Sequence, residues 1–146
     1  MNNILLKRAT LKDIEEITKL EKEASSKTYV ARIKTNDLKC FIENDFVFLI
    51  KHKSIVVGIV AYQVLKRKIA HFHCLVIDKK FRNKGFGKQA MKLILKRMPK
   101  YSRIELVVHP LNSMAISIYL SLGFIIEAWH NNHFGDGEPR LVLAKR

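Results

Sequence analysis

Between Ile69 and His109 the chain reads strand, glycine loop, helix, strand, and that order constrains the fold more than any other feature. Ile69–Ile77 is apolar at most positions, and Arg82-Asn83-Lys84-Gly85-Phe86-Gly87 follows almost at once. Lys88–Met98 then has helical character until Pro99 stops it, and Arg103–His109 is a second strand ended by Pro110. Strands alternating with helices place the chain in the α/β class.

The flanking segments fit around this unit. Ile4–Ala9 reads as a first strand, and Thr10 with Asp13 three residues on is an N-terminal helix cap. Ile14, Ile17 and Leu20 mark the buried stripe of a helix that runs to about Ala24. Residues 25–36 are polar and irregular, with a short helix around Asn36–Ile42. Phe46–Lys51 and Ile55–Leu65 flank a hairpin turn at His52-Lys53-Ser54, and Lys66-Arg67-Lys68 turns into Ile69–Ile77, which makes an antiparallel meander. Ser113–Ser121 is a helix with Asn112 as its cap and Gly123 as its left-handed stop. Closing strands at about Phe124–Asn131 and Glu138–Ala144 are separated by Gly135-Asp136-Gly137. With no repeat and no linker, the expectation is one domain over residues 1–146, built on a mixed sheet of about seven strands.

Composition narrows the partners. Of the 146 residues 48% are hydrophobic and 27% charged, which suits a chain with a buried core. Uncharged apolar stretches such as Ile55–Leu65 are too short to span a bilayer, so no membrane partner and a cytoplasmic location are expected. Cys40 and Cys74 fit that compartment as reduced thiols, and the six histidines lack zinc-site spacing, so no metal is expected. The net charge of +14 raises the competing class of a basic nucleic-acid-binding module. Lysine and arginine run along the whole chain, however, and no aromatics are interleaved at Lys51–Lys53 or Lys66–Lys68. A solvated basic surface is the expectation, and nucleic acid is not expected as a partner.

The glycine loop carries the first chemistry. Gly85 and Gly87 let successive N–H groups point into one concavity, and the helix that follows adds unpaired N–H groups and a positive dipole end. Arg82, Lys84 and Lys88 surround it with positive charge. Such a loop holds phosphate or pyrophosphate, although it is neither the P-loop nor the dinucleotide fingerprint. Asn112 and Tyr119 are seven residues apart, so two helical turns put them on one side of their helix. From the residues alone, Tyr119 reads as core or catalyst and Asn112 as a cap or a ligand contact.

Taken together, these segments resemble the GCN5-related N-acetyltransferases, the GNAT superfamily, over nearly the whole chain. Leu6-Lys7-Arg8-Ala9-Thr10 is similar to the family's start, and Val57-Gly58 to its third strand. Arg82-Asn83-Lys84-Gly85-Phe86-Gly87 matches the Gln/Arg-x-x-Gly-x-Gly/Ala signature. Asn112–Phe124 resembles the second motif as found in ribosomal-protein-alanine N-acetyltransferases. The resemblance implies the GNAT fold, with splayed fourth and fifth strands and about four helices, and direct acetyl transfer from acetyl-CoA to a primary amine. It implies a pyrophosphate on the backbone of Arg82, Asn83, Lys84, Gly85, Phe86, Gly87 and Lys88. It also implies a pantetheine lying along Leu75, Val76 and Ile77, a thioester carbonyl polarised by the Leu75 N–H, and cofactor contact at Asn112. Tyr119 matches the tyrosine that protonates the departing thiolate.

For the base, His71 occupies the position of the family's catalytic glutamate, and an imidazole suits that task. His73 is the reserve. On the fifth strand Val107 stands where ribosomal-protein acetyltransferases carry Glu or His; Glu105 and His109 flank it, and a water relay is also open. The favoured acceptor is a protein or peptide N-terminal amine. A small-molecule amine, such as a polyamine, amino sugar or antibiotic, is the alternative, as is a GNAT-fold sensor that binds the cofactor without turnover. The protein is expected as a monomer or homodimer.

Overall fold

The computed structural model describes residues 3–31, 34–66 and 68–146. The strands are β1 (Leu5–Arg8), β2 (Phe46–His52), β3 (Ile55–Val64), β4 (Ile69–Ile77), β5 (Arg103–Val108), β6 (Ile125–His130) and β7 (Arg140–Lys145). The helices are α1 (Ile14–Ala24), α2 (Thr35–Asn44), α3 (Phe86–Arg97) and α4 (Ser113–Ser121). One seven-stranded sheet runs in the order β1-β2-β3-β4-β5-β7-β6. Only the β4–β5 pair is parallel, with α3 carrying the chain back between these two neighbouring strands. A mixed seven-stranded sheet with four helices is the architecture that the resemblance implies.

Local chemistry sets most boundaries. Thr10 closes a capping box with Asp13, its N–H donating to Asp13 Oδ2 at 2.9 Å, and a turn at Leu11–Asp13 feeds α1. Lys53 and Ser54 take φ of 50° and 67°, so the β2–β3 turn has two left-handed residues, the geometry that matches strand twist. α2 runs Thr35–Asn44, longer at both ends than the expected 36–42. α3 begins at Phe86 rather than Lys88, since Gly85, at φ 80°, already serves as its cap. β7 begins at Arg140, later than the expected Glu138. The anticipated turn at 66–68 includes Arg67, and the irregular stretch at 25–36 includes Arg32 and Ile33; these three lie outside the described residues.

Each face of the sheet carries its own core. Phe86, Ala90, Met91 and Ile94 of α3 pack with Tyr119 and Phe124 over Phe72, Leu106 and Leu143. On the other face Ile17 and Leu20 of α1 and Leu38, Phe41 and Ile42 of α2 cover Leu49, Ile59, Cys74 and Val76. Burying each large aliphatic of this kind contributes about 1.5–3 kcal/mol.

At Gly58 the neighbouring strand β4 leaves no room for a side chain on β3. A Cβ there would collide with the Val76 carbonyl oxygen and sit 3.0 Å from Ile77 Cδ1. Gly58→Ala is therefore expected to destabilise by about 1–3 kcal/mol, seen as a lower urea midpoint, because relief requires parting β3 from β4.

Candidate active site

The site begins where β4 and β5 part. They pair only from Ile69–Arg103 to Phe72–Leu106, yet β4 continues to Ile77 and β5 to Val108. A bulge in β4 assists: Ala61 pairs with Cys74 and Tyr62 with Phe72, leaving His73 as the extra residue. Two consequences follow. Phe72 and Cys74, which strict alternation would put on one face, enter opposite cores. The backbone of β4 beyond Phe72 also faces an opening instead of a neighbour.

A cleft of about 450 Å³ occupies the α3 end of that opening. Leu75, Val76 and Ile77 form one wall, and Arg82, Asn83, Gly85, Phe86, Gly87 and Lys88 form its end, with Asn112 at the far side. Thus every residue expected on the donor side lines it except Lys84. That lysine lies in the turn between two left-handed residues, Asn83 (φ 62°) and Gly85 (φ 80°), and does not reach the lining. The first helical bond of α3 runs from Gln89 N to Gly85 O at 3.1 Å, so the N–H groups of Phe86, Gly87 and Lys88 have no helical acceptor. These N–H groups and the positive helix end suit a pyrophosphate. Arg82 folds back, its Nε donating to Ile77 O at 3.0 Å. Met114, Ala115 and Ile118 of α4 supply the apolar side.

A second cavity of about 430 Å³ adjoins the first, sharing Thr28, Tyr29, Leu75, Asn112 and Ala115 with it. Tyr119, His71, His73, His109 and Val107 line this one. Tyr119 packs on Phe124 at 5.8 Å between ring centres. Burial pushes its phenol above the ordinary value, and the nearby Cys74 adds to the rise, so Tyr119 keeps its proton throughout the neutral range. Asn112 caps α4, its Oδ1 accepting from Ala115 N at 3.3 Å, and it lines both cavities.

Each histidine of the cavity is backed by a carboxylate from a distant element. His71 Nδ1 is 3.5 Å from Glu105 Oε1, across the parallel pair of β4 and β5. His73 Nε2 is 3.2 Å from Asp45 Oδ2, with its ring edge-on to Phe41. His109 is 2% exposed; Nδ1 accepts from Leu111 N at 3.0 Å while Nε2 faces Glu138 Oε1 at 2.8 Å. Since Nδ1 accepts, Nε2 carries the proton and donates to Glu138, and both nitrogens of His109 are engaged. Glu105 does not line the main cavity. It sits behind His71 in a smaller one with Gln63, His130 and His133, where Arg103 Nε donates to its Oε2 at 2.9 Å.

Two wall residues were invisible in the sequence. Tyr29 lines both cavities, and its hydroxyl donates to Glu21 Oε1 at 3.1 Å, a carboxylate buried on α1. Arg140, 2% exposed, lies over the Phe134 ring at 5.0 Å and holds Asp136 at 3.0 Å, tying the β6–β7 loop to the cavity. Neither belongs to a motif; Tyr29 reaches the site through an irregular loop and Arg140 from the first position of β7, and local spacing reveals neither path. Among the described residues no group of three or more His, Cys, Asp or Glu is placed to hold a metal, and no helix is long and apolar enough to cross a membrane. Cys40 is an exposed free thiol and Cys74 a buried one.

The model of the acetyltransferase (GNAT) family matches residues 11–124. No curated protein matches the chain. Among solved structures, the ribosomal-protein-S18-alanine N-acetyltransferase of Escherichia coli superposes with a TM-score of 0.79 at 17% identity, covering 97% of this chain and 92% of that one. Naa50 of Arabidopsis thaliana, in complex with the bisubstrate analogue CoA-Ac-MVNAL, gives 0.81 at 20% identity, with 98% of each chain covered. A spermidine N-acetyltransferase SpeG chimera from Vibrio cholerae and hSSAT gives 0.82 at 18%, covering 97% and 93%. The glycine loop, the splayed strands and the family match agree: the chain belongs to the acetyltransferase (GNAT) family and is an acetyl-CoA-dependent acetyltransferase.

Proposed function

We propose that the acceptor is the α-amine of a peptide or protein, and the charge of the acceptor cavity carries this reading. Among the described residues no Asp or Glu lines that cavity, and Arg140 is its one permanently charged side chain. Asp45, Glu105 and Glu138 each stand behind a histidine. A polyamine or amino sugar with several positive charges would lack anionic partners there, whereas a peptide brings a single amine and neutral amide groups. An α-amine near pKa 8 also loses its proton more readily than a lysine near 10.4. The relatives named above act on both kinds of amine, so the choice rests on this cavity.

In this reading the donor supplies an electrophilic thioester carbonyl at the junction of the two cavities, beside Leu75. The Leu75 N–H donates to the carbonyl oxygen as charge develops on it. His71 takes the proton of the incoming amine, and Glu105 behind it favours the imidazolium that results. Tyr119 gives its proton to the departing sulfur. The cytoplasm is the proposed setting, where Cys40 and Cys74 stay reduced.

The test is thiol release from acetyl-CoA with a panel of acceptors. Peptides with free N-termini are expected to exceed spermidine in kcat/KM by about 100-fold or more, with N-terminally blocked peptides inert. The opposite order would transfer the enzyme to the small-molecule class.

A further inference from the structure

The basic residues run through the chain, but the acids do not. Residues 46–104 hold 15 of the 27 lysines and arginines and one acid, Asp78, of the 13, so this segment alone carries a net charge of +14 and the remainder sums to zero. From Lys79 to Arg103 there are ten basic residues and no acid.

The fold gathers this charge on the outer side of α3. Lys88, Lys92 and Lys96 recur every fourth residue, about 6 Å apart along the axis, and all are exposed. They stand opposite the buried Ala90, Met91 and Ile94. At the N-terminal end Lys79 and Lys80 extend the strip. At the other end Lys68 and Lys100 extend it, the β3–β4 turn being held there by Ser102 N to Lys68 O at 2.7 Å. Among the described residues the ion pairs draw on Lys27, Arg103, Arg140, Arg146 and three histidines, and on none of these seven lysines.

We propose that this strip binds the phosphate backbone of double-helical RNA, an interaction separate from acetyl transfer. Among the described residues no large apolar side chain is exposed between 66 and 110, the nearest being Leu65 at the β3–β4 turn, so the α3 part of the strip lacks both the apolar centre of a protein interface and side chains to insert into a lipid surface. It has no exposed aromatic ring either, which removes the stacking platform that single strands need. What remains is a row of point charges spread over a helix and the turns at both its ends. Such a row lies across successive phosphates, as shape-reading proteins hold duplex RNA, rather than pressing one helix into a DNA groove.

The test is fluorescence anisotropy with a mixed-sequence RNA duplex of about 20 base pairs, at several salt concentrations. Two variants of equal net charge are compared: Lys92→Gln/Lys96→Gln/Lys100→Gln on the strip, and Lys12→Gln/Lys19→Gln/Lys22→Gln on the α1 side. The strip variant is expected to bind at least about tenfold more weakly at low salt, and its log K against log salt should flatten by up to about 3. The α1 variant should stay near wild type, and both should retain their melting temperature and acetyl-CoA binding. Equal losses in the two variants would reduce the effect to net charge and overturn the proposal. So would absence of RNA binding at 50 mM salt, or tighter binding of a DNA duplex, a single strand or anionic vesicles.

Discussion

Tyr119→Phe is expected to lower kcat by about 10²–10³-fold while the Kd for acetyl-CoA stays within about twofold. The loss follows from the proposed role of the hydroxyl. Tyr119 lines the acceptor cavity and is absent from the lining of the donor cleft, so its removal is expected to spare nucleotide binding. Burial raises its pKa, which keeps the phenol protonated at neutral pH, as the proposed donor to a departing thiolate has to be. Phenylalanine preserves the ring and its contact with Phe124, so packing is retained while the proton is lost. A hundredfold fall corresponds to about 2.7 kcal/mol of transition-state stabilisation. Stopped-flow transfer with a peptide acceptor and calorimetric titration with acetyl-CoA measure the two quantities separately. A large rise in Kd with modest change in kcat would make Tyr119 a packing residue of the donor site.

What could be read from the sequence is what neighbours in the chain decide. Ser113–Ser121, its Asn112 cap and the left-handed Gly123 came out at their observed positions, because a cap and a positive-φ stop act within one turn. Ile69–Ile77 did so as well, bounded by a turn and by the Asp78 cap of the next segment. The start of α3 was placed two residues late. The loop's second glycine lies inside the helix, and helix propensity argues against counting it there.

The features that make the site are long-range. The bulge at His73 and the early end of β4–β5 pairing depend on cross-strand register, which no single strand encodes. Tyr29 reaches Glu21 from eight residues away through an irregular loop. The three carboxylates behind the histidines come from the α2–β2 junction, β5 and the β6–β7 connection. Three histidines and one glutamate were legible as candidates for the base. Only their surroundings separate them, since His109 has both nitrogens engaged and Glu105 lies behind His71.

His71→Ala is expected to lose activity in a pH-dependent way, and the shape of that loss identifies its role. An α-amine with pKa near 8 is about 3% unprotonated at pH 6.5. If His71 accepts the amine proton inside the complex, wild type can use the protonated acceptor, and the variant must wait for the free amine. The ratio of wild-type to variant kcat/KM should therefore be a few-fold at pH 9 and grow by up to about a further 30-fold toward pH 6.5. Glu105→Gln supplies the second readout. A carboxylate 3.5 Å from Nδ1 favours the imidazolium, and removing its charge makes His71 easier to deprotonate. The acid limb of the profile, which reports the base losing its proton, should then move to lower pH in Glu105→Gln. Arg103, which also pairs with Glu105, tempers the size of the shift but not its sign. Wild-type and His71→Ala profiles that run parallel would leave His71 as a strand residue with no part in proton transfer.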